Sequence, residues 1–566
     1  MFPSLTVHKT TRRSVLLGWM LLAAVPVLYV GMTIVSASRN IVFWDEFDTA
    51  LALILRINAG ADWNELLHRF FVVNNEHRMV TSRLIFAASY WLTGTINFHI
   101  IGAIGNLFLV GACTWLLIAV QGTERRVRLG VVLAFVMFQL EHFENFLWSG
   151  ASIDHFQVVM LGVGAIAALA AGTTRSVWGA GVLGVLATFT LAQGTVVWPV
   201  GALLLAHQRR WSALAGWSVA GMLTAVLFLQ GFEFNPAHQI AGGAALSASH
   251  IIVYWLALLG GPLTLGNAGL APLPGLLLLV GLGILMTRGG LAREPVAMFS
   301  AFFAVGALAL IAYGRSELAG PEINSRYLVL GSLAWALLIF QLLELASPAT
   351  RPYRLLICLI PALAAFNVTA NIRYAPIAEG YVEVRDRAAT SFMQYGQDGR
   401  GITRLHPRDK HADIILRQAE ARGVYTLPAV SHETALPPAT PSTRIIAHAD
   451  EVVVNDRAVT VGGWAMIRGL ESKRDQVFVL IRSNRTQRIY STVTLQRPDV
   501  AKAYNEPGWR RAGFRAVIER AALPAEDFEV GVIVITPTGP EFQLLNHRLP
   551  LASGGDAMAV HFSGSP

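Results

Sequence analysis

Three carboxylates fall within four residues, at Asp45, Glu46 and Asp48, directly after an apolar run. A helix starting near Trp44 puts Asp45 and Asp48 on one face, because residues three apart stack along a helix. Close carboxylates raise one another's proton affinity, which suits a general base or a shared metal ion. The plain alternative is a solvated loop whose acids sit at a helix start. A second polar element is Asn75-Glu76-His77-Arg78. Arg binds phosphate oxygens in a bidentate fork, and a lipid phosphate would lie at that depth. The same residues also fit a helix cap by Asn75 and headgroup contacts by Arg78. A third runs from Gly314-Arg315-Ser316-Glu317 to Asn324-Ser325-Arg326-Tyr327 and includes Glu322. Arg315 and Arg326 are candidate phosphate ligands there, or Arg326 is a snorkelling anchor beside Tyr327. The group Glu141–Trp148, with Glu144 and Trp148, mixes acids and aromatics as sugar-binding surfaces do, and as interfacial belts do. A fifth polar group lies at 233–239, and Gln193 in a tight turn suits hydrogen bonding between helices.

The elements that must position these residues are membrane helices. Of 566 residues, 54% are hydrophobic and 14% charged, whereas soluble proteins carry about 25% charged residues. The net charge of +8 does not imply nucleic acid. The basic residues are scattered over short loops between apolar segments, as the positive-inside rule expects. Cys113 and Cys358 both lie in apolar segments, so neither a disulfide nor a metal-ligand spacing is expected. The signatures of nucleotide-binding loops, zinc proteases and serine hydrolases are missing from the sequence.

The run 14–36 is long enough to span, and Lys9, Arg12 and Arg13 precede it, so the N-terminus is expected in the cytoplasm. A large outer loop, 37–78, follows. Segment 79–93 is short and interrupted by Arg83. Placing it in the interface leaves the basic loop Glu124–Arg128 inside. Continuing along the chain gives eleven crossings. Segment 249–268, broken at Gly260-Gly261-Pro262, is expected to be re-entrant or interfacial. On this topology all five polar groups share the outer side. Residues 371–445 read as a linker with helix at 410–422. Strand patterns at 451–454, 459–461, 476–481, 530–535 and 541–545 mark a β-sandwich-like domain over 446–552, with a disordered tail at 553–566.

The layout of 1–370 resembles the GT-C superfamily of glycosyltransferases that use polyprenyl-phosphate sugars. The likeness rests on the Trp44-Asp45-Glu46-Phe47-Asp48 opening, Asn75–Arg78, Glu144–Trp148, Gly314-Arg315 and Ser325–Tyr327. It implies a polytopic enzyme of a bacterial inner membrane with its C-terminal domain periplasmic. Its partners would be membrane lipids, a polyprenyl-phosphate-linked sugar donor and a glycan, lipid or protein acceptor. It implies Asp45 as general base, with Glu46 and Asp48 as alternates. Arg78, His77, Arg315 and Arg326 would hold the donor phosphate, and Glu76, Glu144, Trp148 and Glu322 would contact substrate. Some members use a divalent cation (Mg or Mn) and others none; Asp45 and Asp48 would be its ligands here. The loop sequences typical of the aminoarabinose and mannosyl transferases are missing, so neither donor nor acceptor carries over. The other readings are a surface-polysaccharide polymerase or ligase and a lipid-linked-sugar flippase or transporter. The spans are nearly free of charge, which speaks against transport. The tail resembles a β domain appended to some bacterial glycosyltransferases, through Gly463-Trp464-Ala465, Arg497-Pro498-Asp499-Val500 and Gly513-Phe514. Trp464, Tyr504 and Trp509 there could stack on sugars or fill a core.

Overall fold

The computed structural model describes residues 4–232, 248–315, 320–345, 352–395, 404–428, 431, 433–454, 458–473, 476–551 and 559–560. It divides into a helical unit, 1–382 with 421–425, and a second unit, 383–420 with 426–566.

In a bilayer every backbone amide must be bonded within its own segment, so apolar runs become helices. Among the described residues, six helices are long and apolar enough to cross: Leu16–Ala37, Phe98–Ala119, Ser149–Ala171, Trp211–Leu229, Pro295–Arg315 and Ser325–Leu345. The protein is therefore a polytopic α-helical membrane protein with an appended β domain. The remaining expected crossings fall on other helices. Thr123–Met137, Thr174–Thr190, Val197–His207 and Pro272–Thr287 are 11 to 17 residues long. They rise only about 16 to 26 Å, short of the roughly 30 Å hydrocarbon core. The eleventh expected crossing, 353–370, lies within the 44-residue helix Pro352–Tyr395.

Segment 79–93 is a 14-residue helix, Val80–Thr93, about 21 Å long. Its Arg83 is buried and donates to the carbonyls of Phe70, Val72 and Arg78. Segment 249–268 is a helix, Ala248–Gly260, that tightens into a turn at Gly261–Thr264 and is followed by Pro272–Thr287. The two arms pack backbone to backbone. A Cβ at Gly260 would lie 1.9 Å from the Ala271 carbonyl oxygen, and one at Gly275 would lie 2.0 Å from that of Leu256.

The expected boundary at residue 370 is corrected by one helix, Pro352–Tyr395, that runs straight through it. The drop in hydropathy at Arg373, Glu379 and Glu383 changes what surrounds the helix, not its backbone, since Arg and Glu are good helix formers. The helix expected at 410–422 is Asp409–Ala421.

Among the described residues the β domain has ten strands: β1 (440–441), β2 (445–454), β3 (458–467), β4 (477–482), β5 (487–491), β6 (493–495), β7 (513–519), β8 (527–536), β9 (539–550) and β10 (559–560). They form two sheets, ordered β1-β9-β8-β4-β5 and β10-β2-β3-β7-β6. Alternate residues of each sheet, such as Val477, Val479 and Ile481 against Val459, Val461 and Phe514, fill one core between them. Strands β1, β5, β6, β7 and β10 escaped the sequence reading; β1, β6 and β10 are only two or three residues long, too short to show an alternation. Of the expected disordered tail, Ala559–Val560 pairs with Val452–Val453; 553–558 and 561–566 lie outside the described residues. Trp464 and Trp509 are buried with Met466 and Val500 on the far face of the second sheet. That assigns them to a core, while Tyr504, 39% exposed, covers their edge.

The helix contact at Gly260 and Gly275 is open to test. Gly275→Val should destabilise the helical unit by about 2 kcal/mol or more, the scale of overpacking. Gly283→Ala, where a Cβ meets nothing within 4 Å, should leave the thermal midpoint in detergent unchanged.

Candidate functional site

The carboxylates of the opening cluster take three different roles. Glu46 is 1% exposed. Its oxygens accept the amides of Phe43 and Gly150, both at 2.7 Å, and the hydroxyl of Ser149. Glu46 thereby fastens the outer loop to the start of the span Ser149–Ala171. Asp45, half-buried, accepts a 2.9 Å bond from Asn75 Nδ2. Asp48 lies in a π-helical turn, Phe47–Leu51, within electrostatic reach of Arg83. Trp44, with φ of 49°, turns the chain just before the helix, and the Asp45 carbonyl accepts the amides of Asp48 and Thr49 at 3.1 and 2.8 Å.

Asn75 and Glu76 are the central residues of a tight turn closed by paired backbone bonds between Asn74 and His77, 2.7 and 2.9 Å. Their φ values of 48° and 63° are those of a type I′ turn, which non-glycine residues adopt at a cost. Four of the seven described non-glycine residues with positive φ, Trp44, Asn75, Glu76 and Met79, lie in or beside this outer loop. Such strain persists where surrounding contacts fix it, and it gathers at functional sites. Here the contacts are visible. Arg315 bonds Glu76 Oε2 at 2.9 Å and the Asn75 carbonyl at 3.2 Å. Asn75 reaches Asp45, and His77 Nδ1 accepts the Ala192 amide at 3.1 Å.

Arg326 lies at the start of the helix Ser325–Leu345. Its amide donates to Glu144 Oε2 at 3.1 Å, so that carboxylate caps a positive helix end. Its guanidinium sits 5.7 Å from the Trp148 ring and 5.3 Å from that of Tyr327. It is within electrostatic reach of Asp45 and Glu144. Asn145 Nδ2 donates to the Arg326 carbonyl, and Ser325 Oγ to that of Glu141. The Glu141–Trp148 segment and the Arg326 helix are thus knitted together.

Arg78 is placed differently. Its guanidinium donates to the carbonyls of Phe71, Phe228 and Gln230. It ties off the C-terminal end of the helix Trp211–Leu229 and has its donors spent on main chain. Burial lowers its pKa from the ordinary arginine value and brings that of Arg83 down to about 10; both stay charged at neutral pH. Glu322 pairs with Arg373 at 3.4 Å on the surface, and among the described residues it joins none of the other candidates. The group at 233–239, and Ser316 and Glu317, lie outside the described residues.

Two residues were missed. Asp154 and His155 stand in a second π-helical turn, Ser152–Phe156, at the mouth of the Ser149–Ala171 span. Asp154 accepts the Ser82 hydroxyl and is within electrostatic reach of Asp45, Glu46 and Arg83. His155 stands in the same relation to Arg326 and His77 and meets the Tyr327 ring edge-on at 5.9 Å. The signal was present in the sequence: an ionisable pair inside an apolar span is a functional candidate by default.

One end of the helical unit therefore collects Asp45, Asn75, Glu76, His77, Asp154, His155, Arg315 and Arg326. Acid, imidazole and guanidinium side by side can move a proton and stabilise a developing anion. No three His, Cys, Asp or Glu side chains are grouped to hold a metal ion among the described residues.

No family model matches the chain, and no curated protein matches it. Among solved structures, the Archaeoglobus fulgidus oligosaccharyltransferase in complex with Zn and sulfate is similar at 14% identity and a TM-score of 0.37. The match covers 74% of this chain and spans 59% of that one. A TM-score this low does not speak for a shared fold.

The different placements of the acids predict different losses. Glu46→Ala leaves buried donors without an acceptor and should cost about 2–4 kcal/mol of stability. Asp45→Asn keeps an acceptor for Asn75 and should shift the thermal midpoint in detergent hardly at all.

Proposed function

We propose that this chain is a membrane glycosyltransferase of the GT-C kind. It transfers a sugar from a polyprenyl-phosphate donor to an acceptor on the extracytoplasmic side. The observation that carries the reading is the meeting of Asp45 with Arg315 and Arg326 at one end of the bundle: Asn75 bonds both Asp45 and Arg315, and Arg326 lies within electrostatic reach of Asp45. Asp45 takes the proton of the acceptor hydroxyl. The acceptor oxygen bonds the anomeric carbon as the bond from that carbon to the phosphate oxygen breaks. The polyprenyl phosphate leaves with the electron pair, and Arg315 and Arg326 offset its charge. The Trp148 ring and Glu144 hold Arg326 in position. His77 and His155 border the same space. Arg78 is left out of the phosphate clamp because main-chain carbonyls occupy its donors.

Asp45→Asn should lower transfer at least about 100-fold, the scale of a lost general base, with the protein still folded. Arg326→Ala should give a comparable loss. Profiling of lipid-linked sugars in both variants should show an accumulated lipid-linked monosaccharide. Unpolymerised repeat units would point to a polymerase instead, and unchanged glycans in both would sink the site. The sidedness has its own check: a reporter fused after Arg125 should report from the cytoplasm, and an external signal would put the site on the wrong face.

A further inference from the structure

Three of the helices that build the site carry a second charged group at their other ends. Pro295–Arg315 ends on Arg315 and begins beside Glu294; Ser325–Leu345 begins near Arg326 and closes on Glu344. Each has 21 residues, so these ends are about 30 Å apart, the thickness of the hydrocarbon core. Thr123–Met137 leads to the Glu141 segment and starts with Arg125 and Arg128. Arg125 pairs with Glu294 and, at 2.8 Å, with Glu344; Arg128 also reaches Glu344 at 2.8 Å.

Next to this network is a shallow recess open to the surface, lined by Leu285, Arg288, Arg293, Glu294, Gln341 and Glu344 among others. Its two acids are already neutralised by Arg125 and Arg128. Arg288 and Arg293 are exposed, and among the described residues neither takes part in an ion pair. Four arginines thus meet two glutamates, leaving two positive charges at the recess. Gln341, 3% exposed, spends its amide nitrogen on the Leu337 carbonyl, and its Oε1 has no partner. A group that brings both acceptors and a hydroxyl donor would complete the recess.

We propose that this recess binds the phosphate-bearing headgroup of an anionic membrane lipid, on the membrane face opposite the catalytic site. Arg288 and Arg293 contact the phosphate oxygens, and Gln341 takes a headgroup hydroxyl. The setting favours a lipid over free phosphate. Arg288 directly follows the apolar helix Pro272–Thr287, whose Ile284 and Met286 are exposed one turn away, where acyl chains would lie beneath the headgroup. Basic pockets between transmembrane helices on the cytoplasmic side recognise anionic headgroups in this way. The site is independent of the transfer reaction.

The test uses the full chain in nanodiscs of phosphatidylcholine doped with phosphatidylglycerol, with retained lipid read by native mass spectrometry. The wild type should retain phosphatidylglycerol, and R288A/R293A should bind it about tenfold more weakly. R288K/R293K should keep most of the affinity. Both arginines are exposed and outside the transfer site, so an unchanged thermal midpoint certifies the fold of each variant. Inorganic phosphate added to undoped nanodiscs separates the two sources: weak binding supports the lipid, and binding as tight as phosphatidylglycerol overturns it in favour of free phosphate. Equal phosphatidylglycerol retention by wild type and R288A/R293A would overturn the site altogether.

Discussion

The buried carboxylate of Glu46 is the contact on which the site depends. A carboxylate removed from water is costly unless its oxygens are bonded. Here two backbone amides and a serine hydroxyl surround it. Those donors come from both sides of a junction, Phe43 in the outer loop and Ser149-Gly150 at the start of a span. The loop is therefore held against the helical bundle at one point. The residue before Glu46 is left facing the polar space, and that residue is Asp45. A carboxylate spent on structure thus fixes the position of the carboxylate proposed for chemistry.

The arginines divide by what their donors meet. Arg78 and Arg83 are ringed by main-chain carbonyls and close off helix ends and loop turns. Arg315 and Arg326 meet a carboxylate and aromatic faces, which orient a guanidinium. Arg125 and Arg128 serve a third purpose, neutralising acids at the far ends of the same helices. Residue type alone does not distinguish these roles. Each is decided by whether a free carbonyl, a carboxylate or an aromatic ring is nearest.

Much of the fold was legible because its signals are local. Hydropathy located the spans, and the glycines and proline at 260–262 marked a real break between two helices. Alternation found five strands of the β domain. Hydropathy misled where it was read as a boundary: the helix Pro352–Tyr395 continues through the polar turn at residue 371.

For the site, the sequence by itself determined the inventory. The acids at 45–48, the Asn75–Arg78 turn, Arg315, Arg326 and Glu144 could all be named from composition and spacing, because polar clusters stand out at the ends of apolar segments. Only the tertiary structure decided which of them meet. It separated Glu46 from Asp45, withdrew Arg78 into a helix end, sent Glu322 to Arg373 and brought in Asp154 and His155. The physical reason is that these outcomes rest on hydrogen bonds between residues 30 to 240 positions apart. No local pattern encodes such pairings; they arise when helices pack and each buried polar group must find a partner.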